Sequence, residues 1–373
     1  MTHKVPLLDL RAQLDAIRDE VIPALLEVVE SQQFIMGESV RQLETAVAEY
    51  CDSREAIACA SGTDALLLSM KTLDLVPGDE VITTPFTFFG TAGAIHNAGG
   101  TPVFVDIDRA TFNIDPVAVE RAITDRTRAI VVVHLFGQMA AVERICEIAA
   151  RHELEVIEDA AQAIGARRMV DGVWRWAGTI GLTGAFSFFP SKNLGGWGDG
   201  GMIVTDDEER ADRLRRLRAH GGAKQYHHEE VGTNSRLDTI QAAVLLSKLA
   251  HLEEWNRARR ERAARYSSDL AGIAGLWCPE TEPGNEHVFH QYSIRSERRD
   301  ELRRHLTEQG IGSAVYYPCP LHLQPCFAQL GHREGSLPEA ERTCREVLSL
   351  PVYPELTSDQ QDAVVDAIRG FHE

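Results

Sequence analysis

Of the 38 lysines and arginines in this chain only five are lysines: Lys4, Lys71, Lys192, Lys224 and Lys248. A chain that uses arginine almost everywhere for positive charge keeps lysine inside Phe186-Ser187-Phe188-Phe189-Pro190-Ser191-Lys192-Asn193-Leu194-Gly195-Gly196. Arginine can carry charge there but cannot form a Schiff base. A lysine amine that loses its proton can. A surface turn is the bland alternative, but three phenylalanines precede the lysine, and the glycine pair allows tight backbone around a ligand. Upstream, Asp159 closes an apolar run in Glu158-Asp159-Ala160-Ala161-Gln162-Ala163. Alone, an acid in that place reads as a helix cap or a metal carboxylate.

A Schiff-base lysine with a carboxylate for a pyridinium nitrogen is the minimum apparatus for pyridoxal 5'-phosphate chemistry. Such a cofactor also needs a phosphate site. Ile57-Ala58-Cys59-Ala60 reads as a strand, and Ser61-Gly62-Thr63-Asp64-Ala65-Leu66 as the start of a helix. Free N–H groups at a helix N-terminus bind anions, Gly62 lets a phosphate come close, and Thr63 adds a hydroxyl. By itself the pattern is equally an ordinary N-cap. Ser187 is placed to bond the phosphate, Gln162 to bond a ring hydroxyl, and Phe88 to stack on a ring or fill a core. The run Gly195-Gly196-Trp197-Gly198-Asp199-Gly200-Gly201 precedes a strand rather than following one, so it is no dinucleotide loop.

The elements that must position these residues alternate. Residues 8–50 read as helical, from Leu10, Leu14, Ile17, Val21, Leu25 and Val28 at spacings of three and four. Strands are expected at 55–59, 80–84, 102–106, 129–133 and 154–158, and helices near 63–75, 88–97, 116–123 and 141–151. Two more strands, 184–188 and 200–204, bracket Lys192, and a long helical pattern runs over 237–268. This is an α/β pattern: a mostly parallel sheet between helices in a large domain, 1–255, with a smaller C-terminal α+β domain, 256–373.

Composition excludes several classes. The net charge of −18 argues against a nucleic-acid or anionic-membrane surface. No apolar run reaches 18 residues, and Met1 to Pro6 lacks a signal-peptide core, so a cytoplasmic enzyme is expected. The seven cysteines form no CxxC pair and their spacing is irregular. Neither a disulfide framework nor a metal site is expected.

Taken together, the motifs resemble the DegT/DnrJ/EryC1/StrS family, the fold-type-I aminotransferases of nucleotide-linked keto sugars. The resemblance rests on Ser61 to Leu66, Glu158 to Gln162, Phe186 to Asn193 with Gly200-Gly201, and Gly232-Thr233-Asn234-Ser235-Arg236-Leu237 followed by Gln241-Ala242-Ala243. It implies catalytic roles for Lys192 on the cofactor and Asp159 on the pyridine nitrogen. It implies cofactor contacts from Gly62, Thr63, Phe88, Gln162 and Ser187, and from Asn234 across to the neighbouring subunit of a homodimer. It implies L-glutamate as amino donor and a nucleotide-linked keto sugar as acceptor. The steps would run in ping-pong order, in polysaccharide or glycoside biosynthesis.

Within the family, Tyr226-His227-His228 and Tyr317-Pro318-Cys319-Pro320-Leu321 look most like the branch that aminates C3. Arg236, Tyr316, Tyr317 and His322 are the substrate candidates, with a structural ion pair to Asp238 as the alternative for Arg236. A UDP-linked 2-acetamido-3-oxo-glucuronate stands slightly ahead of a dTDP-linked 3-keto-6-deoxyhexose, although Tyr316 stands where the uronate enzymes carry histidine. The alternatives are amination at C4 of a 4-keto-6-deoxy sugar, a dehydratase, or a non-catalytic regulator on the same fold. Dehydratases place histidine at the lysine position, and a regulator would be expected to lose Lys192 or Asp159.

Overall fold

The computed structural model describes residues 5–222, 224 and 226–373; Met1 to Lys4, part of the N-terminal reading above, lie outside the described residues. In chain order come α1 (Leu10–Ser31), α2 (Glu38–Cys51), β1 (Glu55–Cys59), α3 (Gly62–Lys71), β2 (Glu80–Thr83), α4 (Phe89–Asn97) and β3 (Thr101–Phe104). Then follow α5 (Pro116–Ala122), β4 (Thr127–Val133), α6 (Val142–Arg151), β5 (Glu155–Asp159), β6 (Arg167–Val170), β7 (Val173–Trp176), β8 (Thr183–Ser187) and β9 (Gly201–Thr205). After them come α7 (Glu208–Leu217), α8 (Thr239–Leu249), α9 (Leu252–Asp269), β10 (Leu276–Trp277), β11 (Asn285–Glu286) and β12 (Tyr292–Ser296). The chain closes with α10 (Arg299–Glu308), α11 (Pro338–Glu346), β13 (Val347–Leu350) and α12 (Ser358–His372).

The main sheet has seven strands in the order β1-β9-β8-β5-β4-β2-β3. Only β9 runs against its neighbours. Helices cover both faces, which is why central strands such as Ala129 to Val133 are apolar without alternation. One face packs on residues of α2, α6 and α8, including Val40, Leu43, Ile145 and Leu245. The other packs on α3, α4 and α7, including Leu66, Ile95 and Leu214. A second core gathers Tyr266, Tyr292, Leu302, Leu348 and Ile368 around the sheet β10-β12-β13. Val5, near the start of the chain, belongs to this second core. No described helix is long and apolar enough to cross a membrane.

Three elements differ from expectation. The helix expected over 8–50 breaks between α1 and α2, where Gln32 and Met36 take positive φ. A Cβ on Gly37 would stand 2.7 Å from the Gln33 carbonyl oxygen and 2.8 Å from Thr239 Cγ2, so the chain turns there against α8. The pattern over 237–268 is two helices, because the ladder is interrupted at Ala250-His251, where the His251 N–H bonds the Lys248 carbonyl, three residues back instead of four. The hairpin β6–β7 and helix α7 were not foreseen, and β6 pairs β11 to form a small third sheet.

Candidate active site

Strands β4, β5 and β8 are parallel, so their carboxyl ends share one edge of the sheet. Ligands bind outside that edge in open α/β sheets. Asp159 ends β5 and Ser187 ends β8, while α3 begins just after β1. Ser61 caps α3 by accepting the Asp64 N–H at 3.1 Å. A cavity of about 570 Å³ opens at this edge.

Its lining brings together Gly62, Thr63, Phe88, Asp159, Gln162, Ser187, Lys192, Tyr316 and Tyr317. Gly62 and Ser187 touch across the cavity floor: a Cβ on Gly62 would stand 2.6 Å from Ser187 Cβ. The first turn of α3 and the end of β8 therefore form one cradle, with backbone N–H groups and two hydroxyls suited to an anion. Phe88 is 57% exposed at the mouth, its ring 6.5 Å from that of Tyr317. It is not a core residue.

The Lys192 backbone is held by its N–H to the Phe189 carbonyl at 2.8 Å. Behind it, the Lys248 ammonium donates to the Gly195 carbonyl at 2.7 Å. Burial pushes the Lys192 amine down to about 8, against the opposing pull of Asp159. The side chain is only partly covered, but it lines the cavity, and it is this enclosed position that desolvates the amine. Asp159 is 5% exposed. Burial raises its carboxyl above the ordinary range, opposed by Thr91, the Ala161 N–H and the charge of Lys192.

Gln162 is held at both ends. Its Oε1 accepts the Phe136 N–H at 2.7 Å, which fixes the amide orientation. Its Nε2 then donates to the Tyr317 hydroxyl at 3.1 Å. With that bond accepted, the Tyr317 proton is free to turn toward the cavity. Under Asp159, the preceding Glu158 is wholly buried and accepts N–H groups from Gly178, Ile180 and Gly181. It also bonds His134 Nε2 at 2.7 Å. Because His134 Nδ1 accepts the Ala140 N–H, the ring proton sits on Nε2 and points at Glu158.

The structure does not bring three candidates to this cavity. His322 is 1% exposed and its Nε2 lies 3.1 Å from Glu341 Oε1, so its ring is turned away into a buried pair. Asn234 is exposed, and Arg236 lines a second concavity of about 710 Å³ with His220, Lys224, Tyr226 and His228. Among the described residues Arg236 makes no ion pair with Asp238 or any other acid, and its Nε is buried without a partner.

Sequence reasoning missed Thr91, Asp199, His290 and Gln291, which also line the cavity. Asn193 Nδ2 donates to Asn256 and to the Val288 carbonyl, so Asn193 Oδ1 accepts from His290 Nδ1 at 3.2 Å. Burial holds the His290 ring far below its ordinary range, with Lys192 and Arg259 adding to the effect, so the imidazole is neutral.

Residues 15–369 match the DegT/DnrJ/EryC1/StrS aminotransferase family. The chain belongs to that family. It is 51% identical over 370 residues to a pleiotropic regulatory protein of Geobacillus stearothermophilus, covering 99% of this chain and 98% of that one. It is 45% identical over 372 residues to a dTDP-3-amino-3,4,6-trideoxy-alpha-D-glucose transaminase of Streptomyces venezuelae, covering 100% and 97%. It is also 45% identical over 365 residues to a UDP-N-acetyl-3-dehydro-alpha-D-glucosamine 3-aminotransferase of Acidithiobacillus ferrooxidans, covering 98% and 97%. Among solved structures, the S. venezuelae protein DesV in complex with a ketimine intermediate superposes with a TM-score of 0.96 at 46% identity, covering 99% of each chain. The chain described here is thus an aminotransferase, with a cavity at the carboxyl edge of its sheet.

Proposed function

We propose that this aminotransferase uses pyridoxal 5'-phosphate to move an amino group from L-glutamate to C3 of a nucleotide-linked 3-keto hexose, as a homodimer in the cytoplasm. The observation that carries the reading is Lys192 and Asp159 facing one cavity, the first with a desolvated amine, the second buried without an ion pair among the described residues. The residues fit the cofactor. Asp159 lacks the cationic donor that a protonated ring nitrogen supplies, and the Gly62–Ser187 cradle offers the anion site a phosphate needs. When bound, pyridoxal phosphate supplies the electron sink that lets nitrogen leave the donor and enter the ketone.

The remaining work falls to the chain's own residues. Lys192 Nζ would hold the cofactor through its carbonyl carbon and, once released, would take the proton from the donor Cα and deliver it to that carbon. Asp159 would keep the ring nitrogen protonated, and Phe88, exposed at the cavity mouth, would pack against the ring. Tyr317, steadied by Gln162, has a hydroxyl proton to give to a ring or sugar oxygen. Asn234 and Arg236 stand outside this cavity with an unpartnered guanidinium nitrogen, which supports their completing the neighbouring subunit's site.

The acceptor reading shifts with the structure. Among the described lining residues Lys192 is the one cation, Asp159 and Asp199 are acids, and His290 is held neutral. Within one chain's own lining a sugar carboxylate finds no spare cation, and the guanidinium that Arg236 would bring from the neighbouring subunit is wanted by the nucleotide diphosphate, so an uncharged hexose leads over the uronate. The names of the two 45% identical relatives agree with an uncharged sugar at C3. The regulatory name of one relative does not displace the enzymatic reading, because a chain that only binds partners has no need of a desolvated lysine facing a buried carboxylate.

The direct test is a half-reaction. Protein loaded with pyridoxal phosphate and given L-glutamate without acceptor should release about one 2-oxoglutarate per subunit and stop, as ping-pong order demands. Lys192→Ala should release none. Release by Lys192→Ala at the wild-type rate, or none from wild type with any amino acid, rejects the reading.

A further inference from the structure

Two threonines stand behind the Asp159 carboxylate. Thr91, in the first turn of α4 and 1% exposed, has its Oγ1 2.7 Å from Asp159 Oδ2. Thr87, four residues earlier, just before α4, and also buried, has its Oγ1 3.1 Å from Thr91 Oγ1. The proton positions follow from what each group can do. An ionised carboxylate only accepts, so Thr91 gives its single hydroxyl proton to Asp159. Thr91 must then accept, and Thr87 is the donor. The result is a chain of two hydroxyls ending on Oδ2, while Oδ1 accepts the Ala161 N–H at 3.2 Å. The titratable groups facing Asp159 are Lys192 from the loop after β8, His134 after β4 and Tyr317. None of their side chains makes a hydrogen bond to the Asp159 carboxylate among the described residues; the His134 N–H donates to the Asp159 backbone carbonyl at 3.0 Å.

We infer that Thr91, backed by Thr87, is a positioning residue that holds Asp159 ionised and so keeps the proton on the nitrogen of the cofactor ring. The inference rests on the assignment of Asp159 to that nitrogen. With the cofactor bound, one proton would be shared between the ring nitrogen and a carboxylate oxygen, and no covalent bond to carbon would change. Each donor to the carboxylate lowers its affinity for that proton. Without the Thr91 hydroxyl the carboxylate becomes more basic, and the proton moves from nitrogen toward oxygen. Thr87 acts through Thr91 by polarising it, so its removal acts in the same direction and less strongly. A purely structural threonine would leave the proton where it is.

The test reads the proton itself. Wild type, Thr91→Val, Thr91→Ser and Thr87→Val are reconstituted with pyridoxal phosphate carrying ¹⁵N in its ring, and the ¹⁵N shift is followed against pH. Wild type should show a protonated nitrogen across the neutral range. Thr91→Val, which keeps shape and removes the donor, should move toward the neutral-pyridine position, with the proton's partition changed about tenfold or more, the scale of a hydrogen bond to a charged group. Thr91→Ser should restore the wild-type shift, and Thr87→Val should fall between. An unchanged ¹⁵N titration in fully loaded Thr91→Val, or no rescue by Thr91→Ser, overturns the inference. If Thr91→Val fails to fold, an unchanged titration in Thr87→Val overturns it. A wild type that binds no cofactor, or binds it with a neutral nitrogen, instead overturns the assignment of Asp159 and the inference with it.

Discussion

The amine of Lys192 invites a pH experiment whose size follows from its surroundings. Burial lowers it from 10.5 to about 8, with Asp159 pulling the other way. A lowered ammonium pKa means that the amine is neutral between about 8 and 10.5, where an ordinary lysine still holds its proton. Only the neutral amine attacks a carbonyl. One unit below its midpoint an amine is roughly 9% neutral, and one unit above roughly 91%. Covalent capture of pyridoxal phosphate by the apoprotein should therefore rise about tenfold from pH 7 to pH 9 and then level off, while Nα-acetyl-lysine rises about a hundredfold over the same interval. Stopped-flow absorbance measures both rates, and dividing one by the other removes the cofactor's own titration. Asp159→Asn deletes the opposing charge and should move the plateau to lower pH. A protein rate that climbs in parallel with acetyl-lysine through pH 10 would refute the desolvated amine.

Three further outcomes are expected. Gly62→Ala puts a Cβ 2.6 Å from Ser187 Cβ and 3.1 Å from Ser187 Cα, with no flexible end to yield; it should cost about 1–3 kcal/mol of stability and weaken cofactor binding about tenfold or more, read by thermal melts and absorbance titration, and wild-type affinity rejects the cradle. Asp159→Asn keeps size and loses charge, so turnover should fall about 10²-fold or more, and an unchanged kcat counts against its role. Lys192→Ala and Asn234→Ala subunits, each inactive alone, should regain activity when mixed, and a mixture as inactive as its parents rules out a shared site.

That Lys192, Asp159, Gly62, Thr63, Ser187 and Gln162 share one cavity was legible because they sit in short contiguous motifs at the ends of strands. They needed only the β/α alternation to be brought to one edge. Thr91 was not legible: it lies 68 residues from Asp159, and a threonine near a helix start looks the same whether or not it bonds a carboxylate. His290 enters the cavity from a segment fixed by bonds between residues far apart in sequence, the Val288 N–H to the Gly137 carbonyl at 3.0 Å and its own ring to Asn193, which no local pattern announces. His322 misled because it follows the Tyr316-Tyr317 segment so closely, while its ring pairs with Glu341. The β6–β7 hairpin did carry a signal, Asp171-Gly172, both with positive φ as a tight hairpin turn requires. Where the apolar period of 8–50 ran on without interruption, Gly37 alone marked the break, because contact with α8 imposes that turn.

The central claim is that nitrogen arrives at C3 of a nucleotide-linked hexose. It is tested most directly by offering the loaded protein ¹⁵N-labelled L-glutamate with a panel of nucleotide-linked 3-keto and 4-keto sugars and locating the label by NMR. The reading requires ¹⁵N bonded to C3, with an uncharged 3-keto hexose accepted faster than the 3-keto uronate. Label at C4 of a 4-keto sugar, with both 3-keto acceptors unreactive, would contradict it.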